Sequence, residues 1–317
     1  MPTTDTMRAV IARGYGGPEV LELVEVPVPV PGPGQVLIRV HATTVNPVDL
    51  LTRSGALADA GLMTPRDTTG IGWDVAGVVE AIHPVSADNA PPFTVGQNVI
   101  GLRDLLDVSL GTYAEYIVLD TSAVAPAPDL DPVEAAALPL NGLTALQSLD
   151  LLDLSPGRTL LITGSAGAIG GFAVELAARR GLRVLAHANA TDEPFLRAAG
   201  AEWILPRDTP DLAAATRALI PGGAHGALDT AGLGIQALAA VRTRGTFVTV
   251  AGGPPPTPLR GITIHQQWIS ADGPALASLA TAGLTPRIAA TLALHRAAEA
   301  HGRVERGGLR GRVVLTP

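Results

Sequence analysis

Leu160-Leu-Ile-Thr-Gly-Ser-Ala-Gly-Ala-Ile-Gly-Gly171 is an apolar run that passes directly into a glycine-punctuated turn and then into Ala- and Leu-rich residues with helical spacing. Strand, tight turn and helix in immediate succession can hold a phosphate. Glycine admits the turn and lets the backbone approach a pyrophosphate closely, while the first turn of the helix offers free N–H groups and the positive end of its dipole. Gly164, Gly167 and Gly170 can fill these roles, in the spacing G-x-x-G-x-x-G rather than G-x-G-x-x-G, with Ser165, Ala166, Ala168 and Ile169 completing the turn. A strand-to-helix turn that binds nothing is the bland alternative, and the regular pattern around the turn argues against it.

Outward from this turn, strands and helices alternate. Strands are expected at Thr159–Thr163, Arg183–Ala188, Trp203–Leu205, Gly226–Asp229 and Gly245–Val250. Helices are expected at Gly167–Arg180, Glu193–Ala199, Asp211–Leu219 and Ile235–Val241, a sequence of elements that predicts a doubly wound parallel sheet. Its ligand-facing loops would include Asp229-Thr-Ala-Gly232 and Val250-Ala-Gly-Gly253, hence Thr230, Ala231, Ala251 and Gly252. The strand after the glycine helix ends in His187-Ala-Asn-Ala-Thr191, with Asn189 where an NAD site commonly supplies a carboxylate for the ribose. That substitution tilts the expectation to NADPH, with NADH as the alternative. Asp192 and Glu193 follow, more naturally as a dipole-stabilised helix start than as ribose ligands.

The first hundred residues differ in kind. Short β-type runs separated by Pro and Gly, such as Val20–Val26, Gln35–His41, Asp74–Ile82 and Asn98–Leu102, indicate an all-β module. Pro27, Pro29, Pro31 and Pro33 forbid a helix between them. From Pro132 to Leu152 the spacing is helical, with an interruption near Pro139–Gly142, and a helix is expected at Leu292–Gly302. The last strand, Arg312–Thr316, either closes the nucleotide domain or returns to the first one.

Composition removes whole classes of chemistry. The 317 residues contain no cysteine, so no disulfide, thiolate nucleophile or cysteine-held zinc exists. All 22 basic residues are arginine, which excludes Schiff-base lysine and the phosphate-loop lysine. A net charge of −7 argues against a nucleic-acid or anionic-membrane partner. Neither a membrane span nor a secretion signal is read in the chain, so a cytoplasmic protein acting on small molecules is expected.

Several further motifs occur in a fixed order. Val45-Asn-Pro-Val-Asp49 with Arg53-Ser-Gly55, Gly72-Trp-Asp-Val-Ala-Gly77, Gly111-Thr-Tyr-Ala-Glu-Tyr116, Glu134-Ala-Ala-Ala-Leu-Pro139 and Gly142-Leu-Thr-Ala145 accompany the glycine turn. In this order the chain resembles the zinc-independent quinone oxidoreductase and enone reductase branch of the medium-chain dehydrogenase/reductases over nearly its whole length. The resemblance implies an α/β protein: a GroES-like β-rich catalytic domain (1–125), a Rossmann-type doubly wound parallel-sheet domain (126–265) and a C-terminal segment (266–317) returning to the catalytic domain. It also implies a homodimer.

Zinc members of that superfamily coordinate their metal where this chain has Asn46 and Trp73, neither of which can ligate zinc. By the same resemblance Asn46 could donate to a substrate oxygen or a ribose hydroxyl, or else be a turn residue before Pro47. Asp49 is a substrate-side acid or, preferably, a helix cap, and Trp73 an apolar wall or a packed strand residue. Asn141 and Thr144 fall in the segment beside the nicotinamide. Gly311-Arg-Val-Val-Leu315 resembles a G-K-x-V-L motif, making Arg312 either a pyrophosphate contact or a strand-end arginine.

Without metal, thiol or lysine, the site can catalyse by positioning a nicotinamide against an electron-poor carbon, which suits quinones and α,β-unsaturated carbonyls. Two other readings stay open: a non-redox tailoring enzyme, such as a cyclase or isomerase, and a protein that binds NADPH without catalysis. His41 and Tyr113 are available proton donors, with packed strand residues as the alternative.

Overall fold

The computed structural model describes residues 6–85, 92–250 and 253–317. The chain divides into two compact units, Met1–Leu140 together with Ser270–Pro317, and Asn141–Ile269.

The Pro- and Gly-punctuated opening folds as strands β1 (Thr6–Arg13), β2 (Leu21–Pro27) and β3 (Gln35–Val45), with Pro29, Pro31 and Pro33 in the irregular connection. Helix α1 (Pro47–Ser54) and the single turn α2 (Ala56–Asp59) lead to β4 (Thr68–Gly70), β5 (Asp74–His83), β6 (Asn98–Leu102), β7 (Tyr116–Asp120) and β8 (Val124–Pro126). β3 pairs with both β5 and β7, and its alternate residues Val36, Ile38 and Val40 are buried on one face with Arg39 exposed on the other. Helices α3 (Pro132–Ala135) and α4 (Pro139–Leu152) follow. The expected interruption at Pro139–Gly142 falls instead at residues 136–138. Pro139 opens α4, where the missing N–H has no intrahelical partner to lose.

The second unit alternates as its sequence dictates: β9 (Thr159–Thr163), α5 (Ala168–Arg179), β10 (Arg183–Ala188), α6 (Glu193–Ala198), β11 (Ala201–Pro206), α7 (Leu212–Leu219), β12 (Ala224–Asp229), α8 (Ile235–Ala240), β13 (Val241–Thr249) and β14 (Thr263–Gln266). The six strands lie parallel in the order β11-β10-β9-β12-β13-β14. This is the doubly wound arrangement, and its order reverses between β9 and β12, where the crevice of such sheets opens. The central strand is buried throughout, with Leu160, Leu161 and Ile162 at 0% exposure.

After the second unit come α9 (Gly273–Thr281), β15 (Ile288–Ala293), α10 (Ala297–Arg306) and β16 (Arg312–Thr316). β16 runs parallel to β15 and antiparallel to β3, so the final strand joins the first unit's seven-stranded sheet. The helix expected at Leu292–Gly302 begins only at Ala297. Leu292 instead ends β15 opposite Leu315, because sheet pairing with a distant strand overrides local helical spacing. Among the described residues no helix is long and apolar enough to cross a membrane.

Val314 has no exposure and sits between β15 and β3. Val314→Asp would bury an unpaired charge there, at a cost of about 4 kcal/mol or more. Hydrogen exchange should show protection lost across β3, β15 and β16 and retained in β9, β10 and β12; equal loss in both units would contradict the pairing.

Candidate functional site

The turn after β9 is built from close backbone approaches. Gly164 has φ +61°, and a Cβ on it would lie 2.7 Å from the Thr230 hydroxyl oxygen. A Cβ on Gly170 would lie 2.2 Å from the Gly164 carbonyl oxygen, so α5 can start this close to β9 only with glycine there. Gly167 caps α5 in extended conformation, and its N–H donates to Gly164 O at 2.9 Å. Residues 168–170 then supply the first helical turn, with its N–H groups at the carboxyl end of the sheet.

Ser165 does something the sequence does not reveal. Its hydroxyl donates to Ile162 O at 2.5 Å and accepts from His187 N–H at 3.0 Å, tying β9 to β10 inside the protein. On the other side of β9, Thr230 Oγ1 donates to Thr163 O at 2.6 Å, and Ala231 N–H donates to Thr163 Oγ1 at 3.2 Å. Asp229, fully buried, accepts from Thr163 Oγ1 and from the N–H groups of Leu233 and Gly234. The loops after β9 and β12 are thus fastened to each other at the reversal point. Ala251 and Gly252, expected on the neighbouring loop, lie outside the described residues.

Asn189 is exposed immediately after β10. The chain around it offers no cation, but the sheet brings one from elsewhere. Arg207, just past β11, donates its N–H to Ala188 O at 2.8 Å, and its charge helps hold the His187 imidazole below its ordinary pKa, burial being the larger cause. No motif marks Arg207; only the pairing of β10 with β11 places it here. Asn141 and Thr144 are buried on α4.

The first unit holds a buried polar cluster where the motifs meet. Asn46 is the N-cap of α1, and its N–H donates to Asp49 Oδ2 at 2.7 Å. Asp49 also accepts from Gly72 N–H at 3.1 Å. Both amide protons of Asn46 are donated within the protein, to Thr44 Oγ1 at 3.1 Å and to Asp74 Oδ2 at 2.7 Å. Asp74, quoted in the sequence only as part of a strand motif, is the hub. It accepts from the Thr44 hydroxyl, from Asn46 and from Leu140 N–H at 2.6 Å. Trp73 beside it is 9% exposed, a packed side chain. Arg312 is half-buried and donates to Val45 O at 3.2 Å; Asp74 and Asp49 support its charge against burial.

A second chain of hydrogen bonds runs into Asp49 with a definite direction. Arg53, almost fully buried, donates to Gly16 O, to the Glu305 carboxylate and to His301 Nδ1 at 3.2 Å. A guanidinium can only donate, so Nδ1 accepts and the neutral ring carries its proton on Nε2. That proton goes to the Tyr113 hydroxyl at 3.2 Å, whose own proton points to Asp49 Oδ2 at 3.4 Å or Thr44 O at 3.5 Å. Burial, with Arg53 beside it, pushes the His301 imidazole down to about 3, and burial likewise lifts the Tyr113 hydroxyl well above its ordinary value. His41 is not part of this cluster; its ring approaches Arg39, and burial with that charge lowers its pKa.

Burial also pushes the Asp49 carboxyl up to about 8, with Asp74 adding to the rise and the Asn46 and Gly72 N–H groups opposing it. Asp74 is raised by burial and partly restored by its three donors and Arg312. Among the described residues no three His, Asp or Glu side chains converge as metal ligands.

Comparison with known proteins agrees with this geometry. Residues 32–129 match the alcohol dehydrogenase GroES-like domain family, and residues 168–280 match the family described as zinc-binding dehydrogenase. The chloroplastic quinone-oxidoreductase homolog of Spinacia oleracea is 36% identical over 218 residues, 66% of this chain and 64% of that protein. Human quinone oxidoreductase, at 36% identity, is matched over only 52% of its length. A crystal structure of an NAD-dependent alcohol dehydrogenase superposes with TM-score 0.86 at 30% identity, covering 98% of this chain and 100% of that one. A mycobacterial protein solved in complex with NADPH superposes with TM-score 0.81 at 28% identity, covering 98% and 100%.

The Asp49 carboxyl binds its proton more tightly folded, at about 8, than at its ordinary 3.8. Its contribution to stability is therefore fully present below about pH 4 and is lost as pH rises through 8. The melting temperature should fall over that window, and Asp49→Asn should flatten the fall; an unchanged slope in the variant would contradict the assignment.

Proposed function

The chain belongs to the medium-chain dehydrogenase/reductase superfamily, in its quinone oxidoreductase branch, and on this basis we propose that it is an NADPH-dependent reductase of quinones or α,β-unsaturated carbonyls that works without zinc. The observation that carries the reading is the cradle after β9, where a side chain on Gly164 or Gly170 would meet backbone or the Thr230 hydroxyl. Such a surface of exposed amides at a helix start fits a diphosphate and little else.

When bound, a nicotinamide dinucleotide supplies the hydride; the remaining tasks belong to the chain. The amides of residues 168 and 169, at the start of α5, would bind the diphosphate, and the Thr230–Ala231 loop would border it. Arg207 would pair with a 2′-phosphate at the end of β10, where Asn189 leaves no carboxylate to repel it. Arg312 is available to a phosphate only by leaving Val45 O and its two carboxylate neighbours. Asn141 and Thr144 would flank the reactive ring.

A metal-free site suits conjugated substrates. Charge developing on reduction delocalises into the carbonyl or quinone oxygen, so no Lewis acid is required. The donor set supports this choice: the chain has no cysteine, and Asn46 and Trp73 occupy the positions that match zinc ligands. Asp49, with its pKa near 8, keeps a proton on a buried carboxyl at neutral pH, because burial outweighs the donors from Asn46, Gly72 and Tyr113 that favour the carboxylate.

One observation favours a second reading, in which NADPH binds without turnover. Asn46 already donates both amide protons to Thr44 and Asp74, so it displays none to a substrate oxygen. Incubating the protein with NADPH and a panel of quinones and enones separates the two: loss of nicotinamide absorbance with at least one acceptor supports the reductase, and binding without loss supports the second reading. Arg207→Gln should raise KM for NADPH about tenfold or more while leaving that for NADH within about twofold. Equal effects on both cofactors would remove Arg207 from the 2′-phosphate.

A further inference from the structure

The opposite end of β9 carries a cluster that the glycine turn does not explain. Arg158 precedes β9, His225 lies in β12 and Arg242 in β13. Arg158 Nη1 is 3.0 Å and Arg242 Nη1 2.5 Å from the same atom, His225 Nε2. Because guanidinium groups only donate, the two of them place the lone pair on Nε2, and Nδ1, with the proton, lies 2.7 Å from Thr159 Oγ1 and 3.2 Å from the Thr159 backbone nitrogen, whose N–H also faces it. One lone pair thus faces two cations, which repel each other.

Charge neutralisation from the protein is missing here. Arg179, Arg180, Arg183 and Arg197 of the same unit are each paired with a carboxylate, but among the described residues Arg158 and Arg242 are not. Two further guanidiniums lie along this edge, Arg217 and Arg260, both donating to Ala239 O. These two have a structural reason, since the carbonyls ending α8 need donors. Arg244 and Arg260 also adopt φ of +60° and +51°, a region that side-chain-bearing residues rarely occupy, and the Arg244 N–H donates to Arg260 O.

The geometry points to an oxyanion site at the amino edge of this sheet, where a phosphate group, free or as the ester end of a small molecule, sits between Arg158 and Arg242 with His225 as a third donor. Two planar forks match the tetrahedral oxygens. His225 can join only by taking a proton on Nε2. Partial burial, Arg242 and Arg158 together hold its pKa down, and a dianion would reverse the effect of both charges. Among the described residues Arg242 and Arg158 are the charges that act on the ring, so binding of a dianion favours the protonated His225.

The site is separable from the dinucleotide cradle, which lies at the other end of a five-residue strand, about 17 Å away. The test is a titration of the full chain at constant ionic strength with inorganic phosphate and with glycerol phosphate, followed by the His225 ring resonances and assigned with His225→Gln. A saturable shift with either ligand, a rise of about one unit in the His225 pKa and about tenfold weaker affinity in Arg242→Gln, with NADPH binding unchanged, support the site. Saturation by phosphate alone marks the free anion as ligand, and saturation by glycerol phosphate admits esters. A shift reproduced by chloride, no saturable shift at all, or unchanged phosphate affinity in both Arg158→Gln and Arg242→Gln would overturn it.

Discussion

A carbonyl oxygen occupies the space where most residues would put a side chain: any Cβ on Gly170 would stand 2.2 Å from Gly164 O. That approach lets α5 begin directly above the end of β9, which aims its unpaired N–H groups at the crevice where the strand order reverses. The rest of the second unit holds this contact in place. Ser165 ties the turn down to β10, Thr230 and Ala231 tie it across to β12, and Asp229 closes the loop beyond with its two accepted N–H groups. Each of these polar groups is used within the scaffold, so the backbone amides are what the turn has left to offer a ligand.

The first unit solves a different problem, that of keeping two carboxylates in an apolar sheet. Asp49 and Asp74 share one buried cluster, and both are pushed towards the protonated form. Donors to them come from Thr44 at the end of β3, from Asn46 at the cap of α1, from the Gly72 N–H ahead of β5, from Leu140 at the start of α4 and from Tyr113, which is itself held by His301 of α10, while Arg312 of β16 adds its charge. The cluster therefore binds the C-terminal segment to the N-terminal sheet by polarity as well as by packing, with Leu292, Leu294, Ala297 and Leu315 sharing a core with Val10 and Val45. Removing one partner from such a network leaves another buried group unsatisfied, which costs more than the bond itself contributes.

How much of this could be read beforehand depended on locality. β9, the glycine turn and α5 are contiguous, so periodicity and glycine spacing identify them within a residue. The partner of β16 is not legible in the sequence because sheet neighbours are set by distant contacts, here between Val313 and Val45 at opposite ends of the chain. Leu292 misled for the same reason. Helix α9 has local start signals, since Asp272 caps it, its carboxylate accepting from Ala275 N–H, and Pro274 stands in its first turn, but its nine residues are too few for periodicity to mark them. Arg207 and Asp74 were missed for opposite reasons: one lies far along the chain from the strand end it serves, and the other was in view as a motif residue whose three donors no spacing rule reveals.

The account stands or falls on whether the turn after β9 holds a dinucleotide. Calorimetric titration of the folded protein with NADPH measures this directly. Saturable one-to-one binding in the micromolar range, lost when Gly170→Val fills the gap above Gly164 O, is the predicted result. A titration without heat or saturation up to millimolar NADPH and NADH, on protein shown to be folded, would contradict it.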